Sequence, residues 1–255
     1  MAVYFFNKSW VSESGVSASS SGGSDVAGHL PAKVYDYDKS TWFENDGATP
    51  SLIIDLGTAR LINSLWLYQD NIDDFDLYYS HNGSDWDKVT DGTQIDKSDG
   101  IWWFFDFTDA TRQFWKITIT SKVGAGNIKI HEVMLLELRL TLSEDLDLPS
   151  MVVVTPKDTI GGSYNLVDGS ITSYAGIRAY SEIEITYQNI PSETYDDLYE
   201  LFTTPYLRYP LVILPDDDKP SYIYRCIWSE DAFNFKYSQS LKLSGFDGSI
   251  KLMEY

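Results

Sequence analysis

Basic charge, cysteine, histidine and long apolar runs are all scarce in this 255-residue chain, and each scarcity removes a class of function. Lys and Arg total 19 against 38 Asp and Glu, a net charge of −19 spread over both halves of the sequence. Such a surface repels phosphate backbones and anionic lipid, so neither nucleic acid nor a membrane is expected as a partner. The single cysteine, Cys226, has no internal partner for a disulfide, and its setting "YIYRCIWS" reads as a strand with an ordinary buried thiol. Nothing approaches the roughly 18 consecutive apolar residues of a membrane-spanning helix. The opening "MAVYFFNKSW" lacks the long apolar core and cleavage site of a signal peptide. The expectation is a chain made in the cytosol that works there or leaves inside an assembly.

The marks of an enzyme are equally sparse. The three histidines, His29, His81 and His131, show no His-x-x-x-His pair and have no cysteine nearby, which leaves zinc and Ser-His-Asp chemistry without support. Neither Gly-x-Gly-x-x-Gly nor a Gly-x-x-x-x-Gly-Lys phosphate loop occurs. The acid pairs Asp73-Asp74 and Asp216-Asp217 have the residue types for glycoside cleavage, but a chain this acidic produces such pairs by composition. The expectation is a protein that is not an enzyme.

What the chain has in abundance is period-two alternation, the pattern of half-buried strands. Leu52, Ile54 and Leu56 share one face of "SLIIDLG", Phe75, Leu77 and Tyr79 one face of "DFDLYYS", and Trp115, Ile117 and Ile119 one face of "FWKITIT". Asn82-Gly83, set between two such runs, signals a hairpin. Further strands are expected at "GIWWFFDF" and "IKIHEVMLLEL". With no helical period before residue 140, the pattern predicts a β-sandwich or jelly roll. The alternating Trp66, Trp86, Trp103 and Trp115 read as core.

The texture changes after the acidic, proline-ended "SEDLDLPS" at 143–150, which places one domain over 1–142 and a second over 150–255. The second part holds one clear amphipathic helix, "PSETYDDLYELFTTP", with Tyr195, Leu198, Tyr199 and Phe202 at helical spacing. Ser192 is the expected N-cap, Glu193, Asp196 and Asp197 suit the positive end of the dipole, and Pro205 follows the end. Strands surround it at "SEIEITYQNI", "LRYPLVILP", "SYIYRCIWS" and "SQSLKLSGF", with "PDDDKP" turning between the middle pair. This predicts a small α+β unit, one helix on a mainly antiparallel sheet.

Taken in order, "VSASSS" (16–21), "VYDYDKSTWF" (34–43), "PSLIIDLG" (50–57), "INSLWLY" (62–68), "FDLYYSHNGSDW" (75–86), "RQFWKITI" (112–119) and "IHEVMLL" (130–136) resemble the discoidin, or coagulation-factor C-type, domain. Bacterial carbohydrate-binding modules of the same galactose-binding-like fold are similar. The resemblance covers residues 10–138 and implies an eight-stranded jelly roll. It implies that "SASSS", which composition alone reads as a linker, is the opening strand. It also implies that Asp55 packs into the scaffold, anchoring a turn or backbone N–H groups, in place of a catalytic role.

The same resemblance implies two sites. Relatives hold a structural calcium, for which the matching positions here are Asp36, Asp38, Thr41 and Glu132; a solvated acidic loop is the competing reading, and Asp36-Tyr37 departs from the family's Asp-Gly. The family's sugar site uses a His and an Arg whose places are taken here by Glu44 and Gln69, so a galactose-type pocket does not carry over. Glu44, Asn45, Gln69, Asp70 and Asn71 can still bond hydroxyls, with Tyr68, Trp42 or Trp102 to stack on a sugar face; plain loop polarity explains the same residues.

The second domain is similar to small β-rich domains of bacteriophage tail and baseplate proteins. The two resemblances together imply a non-enzymatic, structural and binding component of a phage tail, virion or phage-like particle. Its C-terminal domain would dock among other tail or baseplate proteins and further copies of itself, and its N-terminal domain would contact surface glycan. The alternative is a free carbohydrate-binding module or an accessory part of a glycan-degrading system.

Overall fold

The computed structural model of the chain describes residues 2–97, 100–142, 151–165, 171–204, 211–229, 232–239 and 244–254. From the N-terminus, β1 (Val3–Phe6) is followed by β2 (Ser17–Ser21), β3 (Phe43–Asn45), β4 (Ser51–Gln69), β5 (Ile72–Ser80), β6 (Asp87–Lys88), β7 (Thr93–Lys97), β8 (Ile101–Lys122) and β9 (Ile128–Leu136). After these come β10 (Leu138–Leu142), β11 (Met151–Asn165), β12 (Ile171–Ile190), the helix α1 (Ser192–Thr203), β13 (Leu211–Leu214), β14 (Tyr224–Trp228), β15 (Asn234–Gln239) and β16 (Ser244–Glu254). The paired strands for which a register is defined run antiparallel. The protein is mostly β, as the alternation predicts.

One unit comprises Phe6–Arg139 with Asp218–Tyr222. Its two long strands, β4 and β8, each serve two layers. The first half of β4, Ser51–Asp55, pairs with β2 on one side and with Thr118–Phe114 of β8 on the other. Its second half, Ser64–Gln69, pairs with β9 and with Phe105–Ile101 of β8. Between the halves the register breaks at Asp55/Arg60 and Ile62/Ser64. A strand that bends there can face one core from both ends. Leu52, Ile54 and Leu56 from the first half and Leu65 and Leu67 from the second do share a single buried cluster, with Phe75, Leu77, Trp102, Trp115, Ile117 and Ile119. The order β3-β9-β4-β8-β5-β6, with β2 on β4 and β7 on β8, is thus a sandwich made by folding continuous strands.

Asp55 sits at that bend. Its Oδ1 accepts the Gly57 N–H at 2.8 Å and the Gln113 side-chain amide at 2.8 Å, while Gly57 takes φ +72°. The carboxylate holds a left-handed turn that an unbranched glycine can make. The "SASSS" segment is a strand, as the resemblance implies, paired Ser17↔Asp55 through Ser21↔Ser51. At the predicted hairpin, Gly83 has φ +73°, but Asn82 contributes its side chain instead of its backbone, its Oδ1 accepting the Ser84 and Asp85 N–H groups at 2.9 Å.

Three of the four tryptophans expected in the core are there. Trp66, Trp103 and Trp115 are buried, with Trp66 Nε1 donating to the Pro220 carbonyl at 2.8 Å and Trp103 Nε1 to Ser64 Oγ at 3.0 Å. Trp86 is not. It lies half-exposed past the hairpin with the Lys116 ammonium 4.3 Å from its ring centre, because the loop carries it out of the alternating run.

The other unit comprises Met1–Phe5, Leu140–Asp217 and Ile223–Tyr255. Its sheet runs β10-β1-β13-β14-β16-β12-β11, with β15 on β16. The N-terminal strand therefore belongs here, and not to the domain of residues 1–142 expected from sequence. All four residues of "VYFF" are buried, which suits a strand with neighbours on both sides better than an edge. The expected boundary at 143–150 lies outside the described residues. Cys226 is buried on β14, and burial pushes its thiol pKa up, as expected of an inert core cysteine.

The predicted helix forms, with two corrections. Pro191, not Ser192, is the capping residue, its carbonyl accepting the Tyr195 N–H at 3.1 Å, so that Ser192 opens the helix itself. The buried face is Thr194, Leu198, Leu201 and Phe202, while Tyr199, expected inside, is 46% exposed. Thr194 and Leu201 supply the second row of the face, and the tyrosines fall on its margin.

Candidate functional site

The sandwich presents a cluster of rings and charges where β3, β9 and β4 lie side by side. The register places Glu44 opposite Lys129 and Tyr68 opposite Glu132. Alternation along β9 buries Ile128 and Ile130 and leaves Lys129 and His131 on the other face. Trp42, immediately before β3, joins them.

The rings form a connected set. Trp42 stacks on His29 at 4.3 Å between centres, lies 5.9 Å from His131, and has the Lys129 ammonium 5.0 Å from its ring centre. His131 stacks on Tyr68 at 4.7 Å. Hydrogen bonds fix the polar groups between them. Glu44 accepts the Trp42 indole N–H at 2.8 Å and the Asn127 amide at 2.9 Å. His131 lies between the Asp70 carboxylate at 2.9 Å and the Lys39 carbonyl at 3.1 Å. Asn71 donates to the Asn127 carbonyl at 2.6 Å and accepts the Lys129 N–H at 3.3 Å, tying the two rim loops together.

The Trp42 N–H is the main reason the Glu44 carboxyl lies below its ordinary pKa, aided by Asn127, Lys129 and His29 against some burial. A depressed carboxyl contributes stability at pH values above its unfolded pKa, and that contribution is lost as the pH falls through the folded value.

Of the residues expected to bind sugar, the structure brings Glu44, Tyr68, Asp70 and Asn71 together and separates out three. Asn45 is buried, its amide donating to Asp25 at 2.9 Å and its oxygen accepting the Gly47 N–H at 2.8 Å, so it braces a loop. Gln69 is buried, with its side-chain oxygen on the Ile72 N–H. Trp102 is core, edge-on to Phe75 at 5.6 Å with its N–H toward the Ile72 carbonyl. Each looked polar or platform-like in sequence because strand position, not residue type, decides which way a side chain faces. His131 and His29 were missed as site residues. The one available signal was the alternation that puts His131 two residues from Lys129 on the outer face of β9.

The four residues expected to hold calcium are engaged within the chain. Among the described residues, the carboxylates of Asp36, Asp38 and Glu132 do not gather as a set within 4.8 Å. Asp36 accepts Thr41 Oγ1 at 2.8 Å, the Asp38 N–H at 3.1 Å and the Lys33 ammonium at 3.1 Å, so a cation already occupies it. Asp38 accepts both the N–H and the hydroxyl of Ser40, the hydroxyl first among the causes that lower its pKa. Glu132 is buried within β9. Tyr37 adopts φ +60°, the left-handed geometry that glycine takes most easily. This loop is closed by its own hydrogen bonds. Millimolar calcium and a chelator are therefore both expected to leave the melting temperature unchanged in scanning calorimetry; a rise with calcium reversed by chelator would restore the ion.

No protein-family model and no curated protein matches the chain. Among solved structures, it is similar to a chitosan-binding module from the chitosanase/glucanase of Paenibacillus sp. IK-5, at 15% identity over 51% of this chain and 98% of that one, TM-score 0.45. It is also similar to the family 32 carbohydrate-binding module of Clostridium perfringens NanJ in complex with galactose, at 19% identity over 52% and 99%, TM-score 0.43. A further family 32 module, from a family 31 glycoside hydrolase of Clostridium perfringens, is 21% identical over 49% and 95%, TM-score 0.40. The neighbours are carbohydrate-binding modules, and at these identities and TM-scores the likeness assigns no ligand to this chain. None of the three is a tail or baseplate protein, and the tail likeness of residues 150–255 gains no support from them.

Proposed function

We propose that the sandwich unit is a carbohydrate-binding module and that sugar is held on the β3–β9–β4 face. The observation that carries this reading is the conjunction of Trp42, His131 and Tyr68 rings with the carboxylates of Glu44 and Asp70 and the Lys129 ammonium. A pyranose has an apolar C–H face that packs on aromatic carbon and a rim of hydroxyls that both donate and accept. Carboxylates supply acceptors for those hydroxyls, and amides and ammonium supply donors. Asp70 is exposed, and with one oxygen on His131 its other oxygen has no protein partner among the described residues. The polar groups are held before any ligand arrives, which lowers the ordering cost of binding.

This reading keeps the alternative drawn from sequence, a module or accessory part of a glycan-degrading system, and sets aside the tail-assembly role, which has no observation behind it. Binding without turnover belongs to the proposal. Applied to an array of plant, microbial and animal glycans, the full-length chain is expected to retain a defined subset and to release no reducing ends from it. Failure to retain any glycan, or release of reducing ends, would overturn it.

A further inference from the structure

The other unit carries an aromatic surface of a different kind. Along α1, Glu193, Asp196, Asp197 and Glu200 are all exposed, and the helix contains no Lys or Arg. Beside these acids runs a row of rings shared with β15, β16 and the residue before β15. Tyr199 lies 5.4 Å from Phe233, Phe233 lies 5.5 Å from Tyr195, Tyr195 stacks on Phe246 at 4.0 Å, and Phe246 meets Tyr237 at 5.4 Å. The two ends of the row, Tyr199 and Tyr237, are 46% and 61% exposed, and the three rings between them are half-buried.

The core beneath is filled by Leu198, Leu201, Phe202, Ile185 and Ile250; Tyr195, Phe233 and Phe246 pack against it, and Tyr199 and Tyr237 lie outside it. Exposed tyrosine at both ends of a ring cluster is the composition of an interface centre. The orientation of the rings narrows the partner. Tyr195 and Phe246 lie 18° from parallel at 4.0 Å, each hiding one face against the other, and present ring edges and the Tyr195 hydroxyl. Aliphatic side chains of a polypeptide pack well against such ring edges.

We propose that this ridge docks a cationic polypeptide segment with an apolar stripe, its aliphatic side chains seated along Tyr199, Tyr195, Phe246 and Tyr237 and its Lys or Arg residues facing the α1 acids. Charge selects that occupant over a second copy of this chain, which would bring the same acids and a net charge of −19 to the contact. The proposal is independent of the glycan site on the sandwich.

The test is calorimetric titration of the full chain with a synthetic leucine–lysine amphipathic peptide, and with its counterpart carrying glutamate at every lysine position. The lysine peptide is expected to bind, more weakly as salt rises, and the glutamate peptide not to bind. Affinity is expected to fall about tenfold or more in Tyr199→Ser/Tyr237→Ser and measurably in Glu193→Gln/Glu200→Gln. Removing two acids on the sandwich, Asp85→Asn/Asp87→Asn, is expected to change nothing. Since Tyr199 and Tyr237 are exposed, melting temperatures of the variants serve as the folding control. Equal losses in the sandwich pair, indifference to the tyrosine pair, binding of the glutamate peptide or absence of binding by the lysine peptide would each overturn the proposal. So would self-association in sedimentation that the tyrosine pair abolishes.

Discussion

Replacing Trp115 with alanine is expected to cost about 3–5 kcal/mol of stability, enough to unfold a marginal domain. Trp115 is fully buried in the sandwich core, edge-on to Tyr79 at 5.8 Å and tilted against Phe107 at 6.0 Å. It sits on β8 opposite Ile54, in the half of the strand that pairs with both β4 and β5, so the cavity would open between three strands. The site has little freedom to collapse, because β8 is held from both sides. The indole N–H is buried and has no hydrogen-bond partner among the described residues, which costs roughly 1–3 kcal/mol in the native protein. Trp115→Phe removes that donor along with part of the ring, and is expected to be much milder than alanine. Trp86→Ala, half-exposed under Lys116, is expected to cost no more than about 1 kcal/mol. Urea denaturation of the three variants checks the order. A Trp115→Ala cost similar to that of Trp86→Ala would mean that the folded-over halves of β4 and β8 do not share one core.

Replacing Trp42 with alanine is expected to weaken glycan binding by about thirtyfold or more, the roughly 2 kcal/mol of a central aromatic contact. The ring is the hub of the site: it stacks on His29, neighbours His131, underlies Lys129 and donates to Glu44. Its loss removes the apolar surface and also frees Glu44 from the N–H that lowers its pKa. Because Trp42 lies outside the sandwich core, the melting temperature should change little by comparison. Tyr68→Ala is expected to act in the same direction, since it removes the ring stacked on His131. Glycan titration of both variants at constant pH makes the measurement. Unchanged affinity in Trp42→Ala, with the fold intact, would move the sugar elsewhere on the sandwich.

The readings that succeeded were those in which local pattern and global fold demand the same thing. Leu52, Ile54 and Leu56 alternate because one face of their strand meets the core, and they are buried. Gly83 sits at a left-handed turn because the hairpin requires one there. The resemblance implied that Asp55 anchors a turn, and its carboxylate does accept the Gly57 N–H there. The site was legible only as a neighbourhood. Glu44, Asp70 and Asn71 share it, but Asn45 and Gln69 face inward from the same short stretches, and a single residue of strand phase decides between the two outcomes.

The sequence by itself determined that the protein is built of antiparallel strands with one helix and that its cysteine is buried in the core. Composition and periodicity act residue by residue, so they can be read without knowing what packs on what. Only the tertiary structure decided that β1 joins the sheet of the other unit, that Trp86 leaves the core and Trp102 enters it, and that His131 lies between Trp42 and Tyr68. Those outcomes depend on pairings between segments far apart in the chain, such as Tyr68 with Glu132, and no local pattern encodes the partner.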